Sequence, residues 1–218
     1  MTLHPRPAPF RYLSIEGNIG AGKTSLAQML AAHYRAHLIL EEFADNTFLD
    51  KFYHQPERYA FPLEVSFLTE RYQQLHVTMS QASLFEDGFI SDYLFDKSLV
   101  FAQNTLQDDQ YKLFRKLFDT FRLQLPRPDL ILYLRSDLSR LQHNIRKRGR
   151  PYEANIKDDY LSTIQQSYLA YLKSICEHIP VLVLETTHVD FIRDRNAFHR
   201  MVSMLESAPQ AGYHYQIV

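Results

Sequence analysis

One cysteine, six glycines, no tryptophan and a formal charge of only −1 set the first limits on this 218-residue chain. With Cys176 alone, an internal disulfide or a cysteine metal cluster has no partners to form from. A lone cysteine suits a reducing compartment, and the expected location is the cytoplasm. The near-neutral balance, with a pI near 6.8, gives no global positive field for a nucleic-acid backbone, so nucleic acid is not an expected partner. No stretch approaches 18 consecutive apolar residues, and the opening MTLHPRPAPF holds three prolines and no apolar leader core. Neither export nor membrane spanning is expected. There is no DxxG, no NKxD and no GxSxG, which removes the guanine-nucleotide switch and the serine hydrolase. His33 and His37 stand four apart without a third ligand nearby, so no zinc site is expected.

Apolar residues make up 45% of the chain, and 14 Tyr and 15 Phe supply bulk for one sizeable core. Short apolar runs recur at RYLSIE (11), HLILEE (37), GFISD (88), DLILYL (129) and VLVLE (181), separated by helix-length segments. Strands apolar on both faces with helices between them predict a doubly wound α/β domain with five parallel strands. Stripes at Leu68, Tyr72, Leu75 and Met79, and at Tyr160, Ile164, Tyr168, Tyr171 and Ile175, predict two helices packed on a core. Pro126 and Pro128 end a helix before the fourth strand. One domain is expected over 11–206, after an N-terminal extension (1–10) and before a loose tail (207–218).

Against that background SIEGNIGAGKTS, residues 14 to 25, stands out. Four residues separate Gly17 from Gly22, Lys23 and Thr24 follow, an apolar strand precedes and SLAQMLAAHY continues as a helix. Such a loop, Gly17, Asn18, Ile19, Gly20, Ala21, Gly22, Lys23, Thr24 and Ser25, turns backbone N–H groups and a helix N-terminus toward phosphate oxygens. Lys23 would reach the β and γ phosphates, and Thr24 would ligate Mg²⁺. An ATPase motor would show an apolar strand ending in adjacent acids, and neither LILYLRSD nor VLVLETT does so. A small-molecule kinase using ATP and Mg²⁺ remains.

The stretches EEFADNTFLDKFYHQPERYAFPLEVSFLTER (41–71), FISDYLFDKSLVFA and RKRGRPYE, in this order and spacing, resemble the deoxyribonucleoside kinase family. The resemblance runs from about Tyr12 to Leu184. It implies a P-loop kinase fold, a five-stranded parallel sheet flanked by helices, with an arginine-rich lid. It implies transfer of the γ-phosphate of ATP to the 5′-hydroxyl of a deoxynucleoside, purine deoxynucleosides first and deoxycytidine next, by a homodimer serving nucleotide salvage.

By that resemblance Glu41 is the base beside the 5′-hydroxyl. Asp92 is the acid near Mg²⁺ and the reacting oxygens, acting on the metal directly or through water, and is also a candidate base. Tyr53 and Glu153 hold the sugar 3′-hydroxyl, and Glu64 and Arg71 read the base edge. For Asp96 two readings stand, the family's acid near that edge and a helix-capping or solvated residue. Arg148 and Arg150 match arginines that close over the triphosphate, Arg148 also as a catalytic residue, and Arg146, from the same basic cluster, is counted with them as ATP-binding. Two positions depart from the family pattern. Glu64 replaces a glutamine, and an ionised glutamate only accepts hydrogen bonds, favouring bases rich in donors and making thymine the least expected substrate. Tyr93 replaces an arginine, and Lys97, one turn on, is the candidate to restore its charge though not its planar fork. The competing readings are a thymidylate-kinase-like monophosphate kinase, from which SDYLF departs by lacking an Asp-Arg pair, and a regulatory subunit that binds ATP without catalysis.

Overall fold

The computed structural model describes residues 8–42, 46–81, 88–153 and 155–218. Along the chain the elements are β1 (Tyr12–Gly17), α1 (Lys23–Tyr34), β2 (His37–Ile39), α2 (Leu49–His54), α3 (Pro56–Ser80) and β3 (Phe89–Ser91). They continue with α4 (Lys97–Thr105), α5 (Asp108–Arg122), β4 (Leu130–Arg135), α6 (Leu138–Arg148), a 3₁₀ turn (Pro151–Glu153) and α7 (Asp158–Ile175). The last are β5 (Val181–Glu185), α8 (Arg195–Glu206) and β6 (Tyr213–Ile217). Two compact units result, one of Met1–Leu40, Ser83–Leu94 and Arg127–Val218, the other of Glu41–Ala82 and Phe95–Pro126. No helix among the described residues is long and apolar enough to cross a membrane.

The first unit carries the sheet, in the order β2-β3-β1-β4-β5-β6, with every neighbouring pair parallel. Leu13, Ile15, Ile131, Leu132, Leu134 and Val181 to Leu184 are essentially buried, the both-faced burial that a helix-covered parallel sheet demands. The sheet has six strands, not five. The sixth, β6, lies within the segment expected to be a loose tail and pairs from Val181↔Tyr213 to Glu185↔Ile217. As an edge strand it is half exposed along its length, so it lacks the continuous apolar run that marks the other strands. At the other end of the expected domain, Phe10 is buried edge-on against Tyr34, 5.5 Å between centroids, so the packed core begins inside the supposed extension. In α7 the buried face is Leu161, Ile164, Tyr168 and Leu172, which keeps Ile164 and Tyr168 of the expected stripe and has Leu161 and Leu172 where Tyr160 and Tyr171 were expected.

The second unit is helical. In α3 the buried line is Ala60, Glu64, Leu68, Arg71 and Leu75, with Leu63 beside it. Two ionisable residues therefore lie in the core-facing stripe, and Tyr72 sits beside it, stacked on Phe121 at 4.6 Å. Proline starts α3 at Pro56, where its missing N–H costs nothing. A reciprocal cap by Gln107 and Gln110 starts α5, and Phe118 of that helix stacks on Phe95 at 5.1 Å.

Candidate functional site

In the first unit the segment between β1 and α1 is braced from two helices. Asn18 is buried and donates to the Leu161 carbonyl of α7 at 2.7 Å, while Asn144 of α6 donates to the Gly20 carbonyl at 2.8 Å. Gly17 passes so close to β4 that an added Cβ would lie 2.7 Å from the Leu134 carbonyl oxygen. Gly20 has φ +84°, and a Cβ there would meet the Leu141 carbonyl oxygen at 2.8 Å, so glycine is required on both counts. At the start of α1 no side chain caps the N-terminus and no acid stands in the first turn, which leaves the helix dipole for an incoming anion. Lys23 Nζ donates to the Gly17 and Asn18 carbonyls at 2.9 and 3.1 Å.

A cavity of about 470 Å³ opens on this loop and is lined by every residue from Gly20 to Ser25. Gly17, Asn18 and Ile19 do not line it. Asn18 and Gly17 are scaffold, and the Ile19 N–H is spent on Asn18 Oδ1. Of the three arginines expected over the phosphates, Arg148 and Arg150 line the cavity and Arg146 does not. The reason is helical period: Arg140, Asn144, Lys147 and Arg148 lie on the face of α6 toward the cavity, whereas Arg146 shares a shallow surface depression with Ser139 and Gln142. Lys147, the next residue, lines the cavity. Sequence reasoning also missed Arg140, Ser136, Thr186 and the run Val189–Ile192, all of which line the cavity. The i, i+4, i+7 spacing from Arg140 was available in the sequence; the loop after β5 carried no signal.

Thr24 Oγ1 donates to Asp92 Oδ2 at 2.5 Å, and the Asp92 N–H is held by the Ile39 carbonyl at 3.0 Å. A hydroxyl and a buried carboxylate side by side are hard oxygen donors, a set that fits a Mg²⁺ completing its shell with phosphate oxygens and water. Glu16 fixes this corner by accepting the Leu94 N–H at 2.7 Å and the Gly17 N–H at 3.1 Å. Tyr93 is fully buried, and its carbonyl accepts from Ser14 and Ser91. A side chain in that position is core, in keeping with the loss of the arginine there. Glu153 is buried and paired with Arg148 and, at 3.4 Å, with Arg150. Its carboxylate is thus engaged with the arginine cluster of its own unit.

The second unit assembles a charged cluster. Glu41 Oε1 accepts from Arg71 at 2.7 Å, and Glu41 Oε2 accepts from Lys97 at 2.6 Å, all three side chains at most 10% exposed. Arg71 also donates to Ser98 Oγ at 2.7 Å and lies over the Phe67 ring. The structure therefore joins Arg71 to Glu41, a pairing that the sequence reading did not make, and gives Lys97 to Glu41 as well. Glu64 lies one and two turns before Leu68 and Arg71 on the same buried line, and Thr105 Oγ1 is 2.9 Å from its Oε1. Burial raises the Glu64 carboxyl from its ordinary 4.5 to about 7, against the opposing pull of Arg71, Thr105 and Lys97. An always-ionised glutamate was expected; this one keeps its proton until near neutral pH. Because the Thr105 hydroxyl also reaches the Phe101 carbonyl at 3.0 Å, it can donate there and accept from a protonated Glu64. Asp96 stands at the N-cap position of α4, but its side chain goes to Arg122 Nε at 3.2 Å instead of capping. Tyr53 is half-buried on α2, its ring 5.6 Å from Phe52.

Residues 13–208 match the family model described as deoxynucleoside kinase. A deoxyguanosine kinase of Bacillus subtilis is 37% identical over 199 residues, covering 90% of this chain and 95% of its own. A deoxyadenosine/deoxycytidine kinase of the same organism is 29% identical, with 89% and 91% covered. Among solved structures, a deoxyadenosine kinase from M. mycoides with dCMP and dCDP bound superposes with a TM-score of 0.75 at 21% identity, over 90% of this chain and 99% of that one.

Proposed function

The chain belongs to the deoxynucleoside kinase family, and from that premise we propose that it transfers the γ-phosphate of ATP to the 5′-hydroxyl of a purine deoxynucleoside first, and of deoxycytidine next, in nucleotide salvage. The observation that carries the choice of acceptor is the matching of Arg71 and Lys97 by Glu41. A monophosphate acceptor needs buried cations to hold its dianionic phosphate, and here Glu41 already engages both, leaving the cluster a single net positive charge. A neutral sugar hydroxyl needs an acceptor instead, and the Glu41 carboxylate is one; its Oε1 already accepts from Nε and Nη2 of Arg71, so Oε2, beside Lys97, is the oxygen to take the hydroxyl proton. Glu41 is then the base, Glu64 and Arg71 face the nucleobase, and Tyr53 and Glu153 hold the sugar. Lys23, Arg148 and Arg150 bear on the phosphates, and Lys147 lines the same cavity. Thr24 and Asp92 would hold Mg²⁺, directly or through water, and the ion would supply charge neutralisation across the phosphates. Relatives that act on deoxyguanosine, or on deoxyadenosine and deoxycytidine, support the base preference.

The test is ADP release with deoxyadenosine, deoxyguanosine, deoxycytidine, thymidine, the ribonucleosides and the deoxynucleoside monophosphates, from pH 6 to 8, for the wild type and Glu64→Gln. Activity on amino-bearing deoxynucleosides is expected. Activity on monophosphates alone would make the enzyme thymidylate-kinase-like, and silence with intact ATP binding would make the chain a regulatory subunit. The pH slope reports the base. Glu64 is protonated below about 7. A neutral acid matches the donor-acceptor edge of adenine or cytosine, so KM for these should fall as pH falls. A carboxylate matches the two donors of guanine, so that KM should rise. Glu64→Gln should flatten either slope, and an unchanged slope removes Glu64 from the reader. The same shift costs the wild type stability as pH rises from about 4.5 to about 7, since the folded state keeps a proton that the unfolded chain releases.

A homodimer in the cytoplasm is the accompanying reading. Val77, Leu113 and Leu123 are large apolar side chains left exposed on the second unit. Light scattering should give twice the 25.7 kDa of one chain, and a mass of one chain at micromolar concentration would dismiss the dimer.

A further inference from the structure

The cavity above the phosphate loop is lined in part by Thr186 and by Val189–Ile192, in the loop that follows β5. Its start is anchored by the Thr186 N–H and hydroxyl, which both reach the Arg135 carbonyl, and next to them by a carboxylate. Glu185, at the end of β5, accepts through Oε1 from the Thr187 N–H at 3.1 Å and from the Thr187 hydroxyl. Through Oε2 it accepts from Arg135, at the end of β4, and from the Tyr215 hydroxyl of β6 at 2.9 Å. Thr187 Oγ1 in turn accepts the Asp137 N–H at 2.9 Å, and Asp137 caps α6 by accepting the Arg140 N–H at 2.8 Å. The helix so capped is the one that presents Arg140, Asn144, Lys147 and Arg148 to the cavity. One carboxylate thus joins the last strand to the loop and, through Thr187 and Asp137, to the helix, and it is the loop and the helix that line the cavity.

We propose that Glu185 and Tyr215 are positioning residues for the donor nucleotide, the last strand bracing through Glu185 the loop against which ATP is held. The sheet itself does not need the Tyr215 hydroxyl. Five residue pairs already join β5 to β6, and the Tyr215 side chain is about half exposed, so its packing contributes little. Burial alone would raise the Glu185 carboxyl, but the bonds from Thr187, Arg135 and Tyr215 outweigh it and hold it below its ordinary value, as a fully engaged anion requires.

This inference rests on the cavity being the ATP site, and the experiment separates the two. Wild type, Tyr215→Phe and Glu185→Gln are compared for ATP affinity by direct titration without acceptor, for KM of ATP and of the deoxynucleoside, for kcat, and for Tm. Losing one hydrogen bond from the brace should raise KM and Kd for ATP about three- to tenfold in Tyr215→Phe, and further in Glu185→Gln, with kcat and the deoxynucleoside KM within about twofold of wild type. Tyr215→Phe keeps the ring and so carries the test if Glu185→Gln does not fold. ATP affinity unmoved while Tm falls would show a purely structural contact and overturn the inference alone. Wild type without saturable ATP binding would overturn both it and the reading of the cavity.

Discussion

Glu41→Gln is expected to lower turnover by about 10²- to 10⁴-fold, the usual cost of removing a general base, or about 3 to 5 kcal/mol of barrier. The geometry adds a second consequence. Glutamine offers one carbonyl oxygen where the carboxylate satisfies Arg71 and Lys97 with one oxygen each, so its amide N–H₂ must face a buried cation. Stability should fall as well, and activity has to be normalised to folded protein. The informative measurements are single-turnover rate at saturating ATP, ATP affinity and Tm together. Glu41 is not among the residues that line the cavity on the phosphate loop, so ATP affinity is expected to hold. Turnover within a few-fold of wild type would strip Glu41 of its role. If Lys97→Met lowers turnover less than Glu41→Gln does, Lys97 orients the carboxylate without being needed for the transfer.

What the sequence made legible is what is encoded locally. The phosphate loop is contiguous, its glycines are demanded by backbone approach at Gly17 and by a left-handed φ at Gly20, and five strands are apolar on both faces. β6 escaped because an edge strand needs only one covered side, and YHYQI alternates in exposure without a run of apolar residues. The buried line on α3 was hard to read because two of its members, Glu64 and Arg71, are charged, and periodicity rules count only apolar residues. Arg146 was assigned by composition, as one of a cluster of cations, when the helical period separates it from Lys147 by roughly 100°. The pairing of Glu41 with Lys97 spans 56 residues and no local pattern announces it. The Glu185 brace likewise depends on strand register, Arg135 standing beside Glu185 only because β4 and β5 pair in that alignment.

Lys23→Met is the second large effect. The ammonium lies under the phosphate loop, bonded to the Gly17 and Asn18 carbonyls, and it lines the cavity with the loop. An ammonium has three N–H donors in a compact charge, enough to hold the loop and to reach a phosphate oxygen when the nucleotide arrives. In phosphoryl transfer the protein acts chiefly by positioning and by meeting the charge that develops on the oxygens, in a site where water is displaced. Removing one such donor costs about 10²- to 10³-fold in rate. Methionine keeps most of the length and the packing, so the loop loses two hydrogen bonds and little else, and Tm should fall by only a few degrees. Arginine at the same place should restore little, because its planar fork has to find new directions among carbonyls set for a point charge. A Lys23→Met enzyme that turns over within a few-fold of wild type would mean that the loop holds its shape for some purpose other than gripping phosphate. Loss of activity in Lys23→Met with retained Tm, beside loss in Glu41→Gln with retained ATP affinity, would assign the donor to one unit and the acceptor to the other by chemistry alone.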